Sequence, residues 1–201
     1  VAATNNDEIN ATTGQTMSIA LTDATGAADV VNINLKASAV VNANTITTAN
    51  VETVNISGTD AAAANVSAIN ILNLAATKAT SMVVTGNDGL TLTNTTNTKV
   101  TNFDATGVVA NDASDTAANM AVTYVSANTS TTAAVAIKGG AGNDSLTGNL
   151  SIDTIEGGAG ADIITVTAGN DVVTGGAGAD TVIFSVALFA NNSETTATHD
   201  G

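Results

Sequence analysis

Residues 139–183 read GGAGNDSLT (139–147), GNLSIDTIE (148–156), GGAGADIIT (157–165), VTAGNDVVT (166–174) and GGAGADTVI (175–183), five blocks of nine in unbroken register. The sixth position of each block is an aspartate: Asp144, Asp153, Asp162, Asp171, Asp180. The eighth is a branched aliphatic: Leu146, Ile155, Ile164, Val173, Val182. This pattern fits a six-residue loop followed by a three-residue strand. Glycines at positions 1, 2 and 4 let the backbone adopt positive φ and turn its carbonyls toward a shared centre. The aspartate adds a hard anionic oxygen, and calcium takes about six to eight such oxygens, at about 2.3–2.6 Å. The aliphatic at position 8 points inward between two walls of strands.

On these residues the segment resembles the RTX family, whose nonapeptide G-G-x-G-x-D-x-U-x builds a calcium-binding parallel β-roll. The resemblance covers 45 of the 201 residues. In such a roll two blocks make one turn, so alternate blocks stack on one side. The intact blocks, at 139, 157 and 175, are the first, third and fifth and share a side. Strands stack about 4.8 Å apart, so Asp144, Asp162 and Asp180 form a column. At an effective dielectric near 20, neighbouring carboxylates in it repel by about 3–4 kcal/mol, and a divalent ion between each pair reverses that sign. Two good calcium sites are therefore expected. One lies between Gly139, Gly140, Ala141, Gly142, Asp144 and the loop Gly157, Gly158, Ala159, Gly160, Asp162. The other lies between that second loop and Gly175, Gly176, Ala177, Gly178, Asp180. The other side is degraded. There Asp153, Gly169 and Asp171 allow one weaker calcium site, or simply a tight polar turn.

Composition points the same way. Eighteen acidic residues against four lysines (Lys36, Lys78, Lys99, Lys138) and no arginine give a net charge of −14. That balance argues against nucleic acid and anionic membranes as partners and suits a chain that collects divalent cations. The absence of cysteine rules out disulfides and thiol chemistry, leaving calcium as the obvious staple. With no tryptophan, one tyrosine and three phenylalanines, a thin core of stacked Val, Ile and Leu is easier to build than a bulky one. No stretch reaches the roughly 18–20 apolar residues of a membrane helix, and no N-terminal signal peptide is visible. The chain reads as a piece of something longer.

Upstream, apolar residues alternate in short runs: VNINL (31–35), VETVNI (51–56), INILNL (69–74), MVV (82–84), LTL (90–92) and VTNF (100–103). Period two predicts strands with one buried face, and SGTD (57–60), GNDG (86–89) and DATG (104–107) supply turns. The spacings Ile33 to Ile56 and Ile56 to Leu74 suit irregular rungs of a β-solenoid, about 20 residues each, or about seven rungs in residues 1–138. A β-sandwich of short strands is the alternative. The solenoid leads without a linker through VAIK (135–138) into the blocks of nine. The best helix candidate is one turn at 61–64. Asp104, Asp112 and Asp115 mark either a solvated loop or an extra cation or lattice contact. Phe184, Leu188 and Phe189 are expected to cap the open end, and His199 to be a surface residue. Asn-x-Ser/Thr matches such as Asn55-Ile-Ser57 are expected by chance in so Asn/Thr-rich a chain.

A softer resemblance is to the calcium-dependent surface-layer proteins of Gram-negative type I secretion, carried by NVETVNIS (50–57), INILNLAAT (69–77), VVTGNDGLTLT (83–93) and VTNFDATGV (100–108). Together the readings predict an all-β chain: a right-handed parallel β-solenoid at 1–138, the calcium-binding β-roll at 139–183, and an apolar cap and tail at 184–201. The function implied is a structural subunit of an extracellular surface layer or filament, folding and assembling on calcium. An adhesin module or the non-catalytic roll of a secreted enzyme are the alternatives. Implied partners are further copies of the chain, the type I secretion machinery, and cell-surface polysaccharide contacted through regions outside this sequence. No activity of its own is expected: one histidine cannot supply H-E-x-x-H, and no G-x-S-x-G elbow is present. In a calcium-poor cytoplasm the acid column would keep the roll unfolded and threadable; calcium outside would convert binding into folding free energy.

Overall fold

The computed structural model describes residues 7–11, 17–20, 28–37, 40–60, 68–94 and 96–185. None of these is helical. The helical turn considered at 61–64, the cap residues Leu188 and Phe189, and His199 lie outside them.

The strands are β1 (Asp7–Ala11), β2 (Met17–Ala20), β3 (Val30–Ala37), β4 (Asn42–Ala49), β5 (Thr53–Asp60), β6 (Ile69–Ala75), β7 (Ser81–Gly86), β8 (Gly89–Thr93), β9 (Asn102–Val108) and β10 (Val122–Val125). They continue as β11 (Ala136–Lys138), β12 (Ser145–Thr147), β13 (Thr154–Ala159), β14 (Ile163–Val166), β15 (Val172–Ala177) and β16 (Thr181–Phe184). Odd strands form one eight-stranded sheet and even strands the other, each in chain order. Every pairing within them is parallel, for example β3 with β5 and β12 with β14. The chain therefore winds as a two-walled solenoid, each rung contributing one strand to each sheet, and the sandwich alternative is excluded. The blocks of nine are the last rungs of the same two sheets.

Alternation builds the core. In β5 the burial pattern places Val54 and Ile56 inward and Asn55 and Ser57 outward. Columns of inward side chains stack from rung to rung: Ile33 on Ile56, Ile56 on Val84. The sequence spacing suggests Leu74 as the rung after Ile56. Leu74 instead belongs to the opposite sheet, where it pairs with Ile46. That correction lengthens the upstream rungs and makes them unequal. Along one wall Val30 pairs with Thr53, Thr53 with Ser81, and Asn102 with Ala136, each step reaching farther along the chain than the repeat suggested. Among the described residues of 1–138 there are five rungs and the first strand of a sixth, against the seven expected. The longest rung has the largest core side chains: Phe103 of β9 and Tyr124 of β10 stack with ring centroids 3.9 Å apart and planes 13° apart.

From β11 onward the offset between partners settles at two blocks of nine, with Ile137 on Ile155 on Val173 and Leu146 on Ile164 on Val182. Leu146, Ile155 and Ile164 are fully buried, as position 8 predicts. Val182 is 39 % exposed and Phe184 57 %, since they belong to the last described rung. The strands β13 and β15 are six residues long rather than three, running on into the next block as far as Ala159 and Ala177.

Candidate metal centre

The two sheets place the blocks by parity. Residues 139–144 and 157–162 connect an odd strand to an even one (β11 to β12, β13 to β14), and 175–180 connect β15 to β16. Residues 148–153 and 166–171 make the return corner. Three intact loops on one side and two degenerate loops on the other is the arrangement that the sequence predicts.

Each aspartate uses one oxygen to tie its rung to the one before. Asp144 Oδ1 accepts the Val122 N–H (2.7 Å), Asp162 Oδ1 the Asp144 N–H (2.8 Å), and Asp180 Oδ1 the Asp162 N–H (3.1 Å). On the return corner Asp153 Oδ1 accepts the Val135 N–H (2.9 Å) and Asp171 Oδ1 the Asp153 N–H (2.9 Å). The columns are thus hydrogen-bonded ladders as well as rows of charge. The same device recurs upstream, where sequence reasoning missed it. Glu52 caps the Asp29 N–H, Asn70 the Val41 N–H, Asp88 the Ala68 N–H and Asn97 the Ala76 N–H. The available signal is an Asn, Asp or Glu beside each apolar run. In the blocks of nine that signal reads as metal chemistry alone.

The second oxygen distinguishes the loops. Asp144 Oδ2 accepts the Gly140 N–H of its own loop (2.7 Å), and Asp153 Oδ2 the Asn149 N–H (2.6 Å). Asp162 is 1 % exposed and its Oδ2 has no hydrogen-bond partner. The cause is local backbone. Gly158 and Gly160 stand at φ 110° and 132°, and Gly176 and Gly178 repeat this at 112° and 133°. A Cβ on Gly158 would sit 2.2 Å from the Gly140 carbonyl oxygen, so only glycine fits. Gly140 and Gly142 do not share this left-handed conformation. They pack against the irregular corner before β10, with the Ala141 N–H on the Val108 carbonyl and the Asn143 N–H on the Ala117 carbonyl. The three intact loops are therefore not equivalent: those at 157 and 175 match, and that at 139 is held shut by its neighbour.

Burial raises the Asp144 carboxyl to about 7, helped by the charge of Asp162. Burial likewise raises Asp162, with Asp180 adding to it, and Asp171, with Asp153 adding to it; Asp153 is raised by burial. Among the described residues no lysine pairs with these aspartates. The ion pair found there is Lys138 Nζ to Glu156 Oε2, 3.4 Å, between exposed side chains. A buried carboxylate oxygen lacking a donor, in a glycine-lined loop beside a second carboxylate, fits a hard cation. The residues that could hold one are Asp162, Asp180 and the main-chain oxygens of 157–160 and 175–178, with Asp144 on the other side of Asp162. The return corner is better satisfied. Asp153 has both oxygens bonded, Asn149 bonds Ser151 and Ala133, and Thr167 bonds Asn149. Gly169, at φ 107°, packs on Ser151 beside Asp171.

Farther upstream, Asp104 bonds Thr106 within β9, and Asp112 closes a turn on Ser114. Asp115 accepts from the Asn111 and Asp112 N–H groups and from Asn87. The bonds of Asp112 and Asp115 brace residues 111–115 from within, although Asp112 Oδ2 is buried with no hydrogen-bond partner. No curated protein matches the chain. The family model for RTX calcium-binding nonapeptide repeats matches residues 136–160 and 147–182, so this part of the chain is a calcium-binding RTX repeat module.

Proposed function

We propose that the chain is a structural subunit of a calcium-dependent extracellular surface layer or filament, with the RTX corner as its folding switch. The observation that carries this reading is the join: the acid ladder sits on the last rungs of sheets that run unbroken from β1 to β16. A solenoid of this kind offers long flat walls, which suits a building block that packs against its own copies. Asp162 and Asp180 are the principal ligands and Asp144 the third. Two calcium ions per roll follow, one between 157–162 and 175–180 and one between 139–144 and 157–162. The second is the weaker, because Asp144 already spends both oxygens on N–H groups. Asp153, Gly169 and Asp171 contribute at most a weaker third.

Bound calcium supplies positive charge that turns carboxylate repulsion into attraction. The chain's part is to hold the carboxylates one rung apart by their N–H bonds and to keep cations of its own away. Without calcium the last rungs stay open, a state suited to passage through a type I secretion channel, and they close outside the cell. The expected partners are further copies of the chain, with cell-surface polysaccharide contacted through other regions. Electron microscopy of the purified protein with millimolar calcium tests the proposal. Sheets or filaments that dissolve in chelator support it. Monodisperse particles at every calcium concentration overturn it in favour of an adhesin module.

A further inference from the structure

A second pair of acids stands on the return corner, far upstream of the RTX repeats. Asp29 precedes β3 and Glu52 precedes β5, in adjacent rungs whose first residues, Val30 and Thr53, are partners. The Asp29 N–H donates to Glu52 Oε2 (3.0 Å), while the Glu52 and Thr53 N–H groups donate to the Asp29 carbonyl (3.1 and 3.0 Å). This is the arrangement of Asp153 and Asp171, where the Asp153 N–H donates to Asp171 Oδ1. The difference lies in the remaining oxygen. Asp153 Oδ2 has a donor in Asn149, but Asp29 is 2 % exposed and its Oδ2 is buried with no hydrogen-bond partner. In this it matches Asp162 rather than Asp153.

A buried anionic oxygen with no donor is among the costliest groups that a fold carries, and it calls for an ion or a water. Here the second carboxylate reaches the backbone N–H of the first, so the two acids stand one rung apart on the same side of the solenoid. No ion pair to either is found among the described residues. A bridging water satisfies hydrogen bonds but leaves two like charges; a hard divalent cation satisfies both and accepts main-chain carbonyls as further ligands. We propose that Asp29 and Glu52 hold a calcium ion that clamps the rungs of β3 and β5, independently of the RTX corner.

Calcium stoichiometry of the full chain, measured by equilibrium dialysis, tests this. Asp29→Asn and Glu52→Gln should each bind one ion fewer than the parent, and Asp162→Asn, as a separate control, should lose its ions from the roll. An unchanged count in both upstream variants overturns the proposal, whatever the control does. Thermal unfolding gives a second readout if one variant folds poorly. In calcium, Asp29→Asn should melt below the parent; in chelator it should melt at or above it, because an uncompensated buried charge has been removed. A loss of equal size in both conditions would mean that Asp29 only braces the corner, and would overturn the site.

Discussion

The upstream rungs and the RTX rungs stack in the same two sheets but are stabilised by different chemistry. Upstream, strands bury several large side chains: Val31, Ile33 and Leu35 in β3, Leu72 and Leu74 in β6, and the stacked Phe103 and Tyr124. Corners there vary in length, and neutral Asn70 and Asn97 serve among the caps. Downstream, a rung is two blocks of nine, and β12 and β13 bury one large aliphatic each, Leu146 and Ile155. At roughly 25 cal/mol per Å² of buried apolar surface, a rung with one aliphatic per wall gains much less than its upstream neighbours. Its corners are capped by aspartates throughout, whereas upstream corners mix the amides Asn70 and Asn97 with Glu52 and Asp88. The short rung is thus poorer in core and carries a buried acid at every corner, and in the proposed function calcium offsets both. The proposed function also accounts for the regularity: a ligand column needs every corner at the same height, whereas an apolar core tolerates corners of any length.

The comparison breaks most visibly if the core of the upstream part is cut. Phe103→Ala should destabilise the chain by about 3–5 kcal/mol, equally in calcium and in chelator, as read by denaturant unfolding. A calcium-dependent loss would mean that the two regions are not energetically distinct. Asp162→Asn is the downstream counterpart. The amide oxygen can still cap the Asp144 N–H, so the loss is confined to ion binding. At calcium roughly 100-fold above Kd that is about 2.7 kcal/mol per site. In chelator the variant should be no less stable than the parent, and circular dichroism melts in the two conditions separate these outcomes.

A smaller effect is expected from pH. The Asp144 carboxyl, ordinarily near 3.8, is raised to about 7 in the metal-free fold. The folded state therefore binds more protons than the unfolded chain between these values, and metal-free stability must fall as pH rises through that window. In saturating calcium the slope should vanish or reverse, since protons then compete with the ion. Melts between about pH 4 and 8, with and without chelator, check the sign. The smallest effect belongs to the return corner. With both Asp153 oxygens bonded, Asp171→Asn should cost about 1 kcal/mol or less and leave calcium stoichiometry unchanged.

Much of this was legible in the sequence, because period-two strands and a nine-residue repeat are local patterns. The parity of the loops and the burial of Leu146, Ile155 and Ile164 needed only the register. Rung length upstream was not legible. Ile56 and Leu74 look like successive rungs by spacing, but whether a strand stacks or crosses to the other wall depends on how far the intervening corner travels. Nor could the sequence separate GGAG at 139 from GGAG at 157. The four residues are identical, and the difference lies in what packs below. The irregular corner around Val108 and Ala117 holds Gly140 and Gly142 out of the left-handed region, while the regular loop lets Gly158 and Gly160 adopt it. The double use of each aspartate, as cap and as ligand, is likewise a property of stacking and not of the motif.

The central claim is that calcium stabilises the RTX rungs far more than the core-rich rungs β7 to β9, and hydrogen exchange of the full chain with and without chelator tests it most directly. The amides of β13 to β16, Thr154 to Phe184, should lose protection on calcium removal while those of β7 to β9, Ser81 to Val108, keep theirs. Equal protection of both regions in chelator, or a loss spread evenly over both, would contradict it.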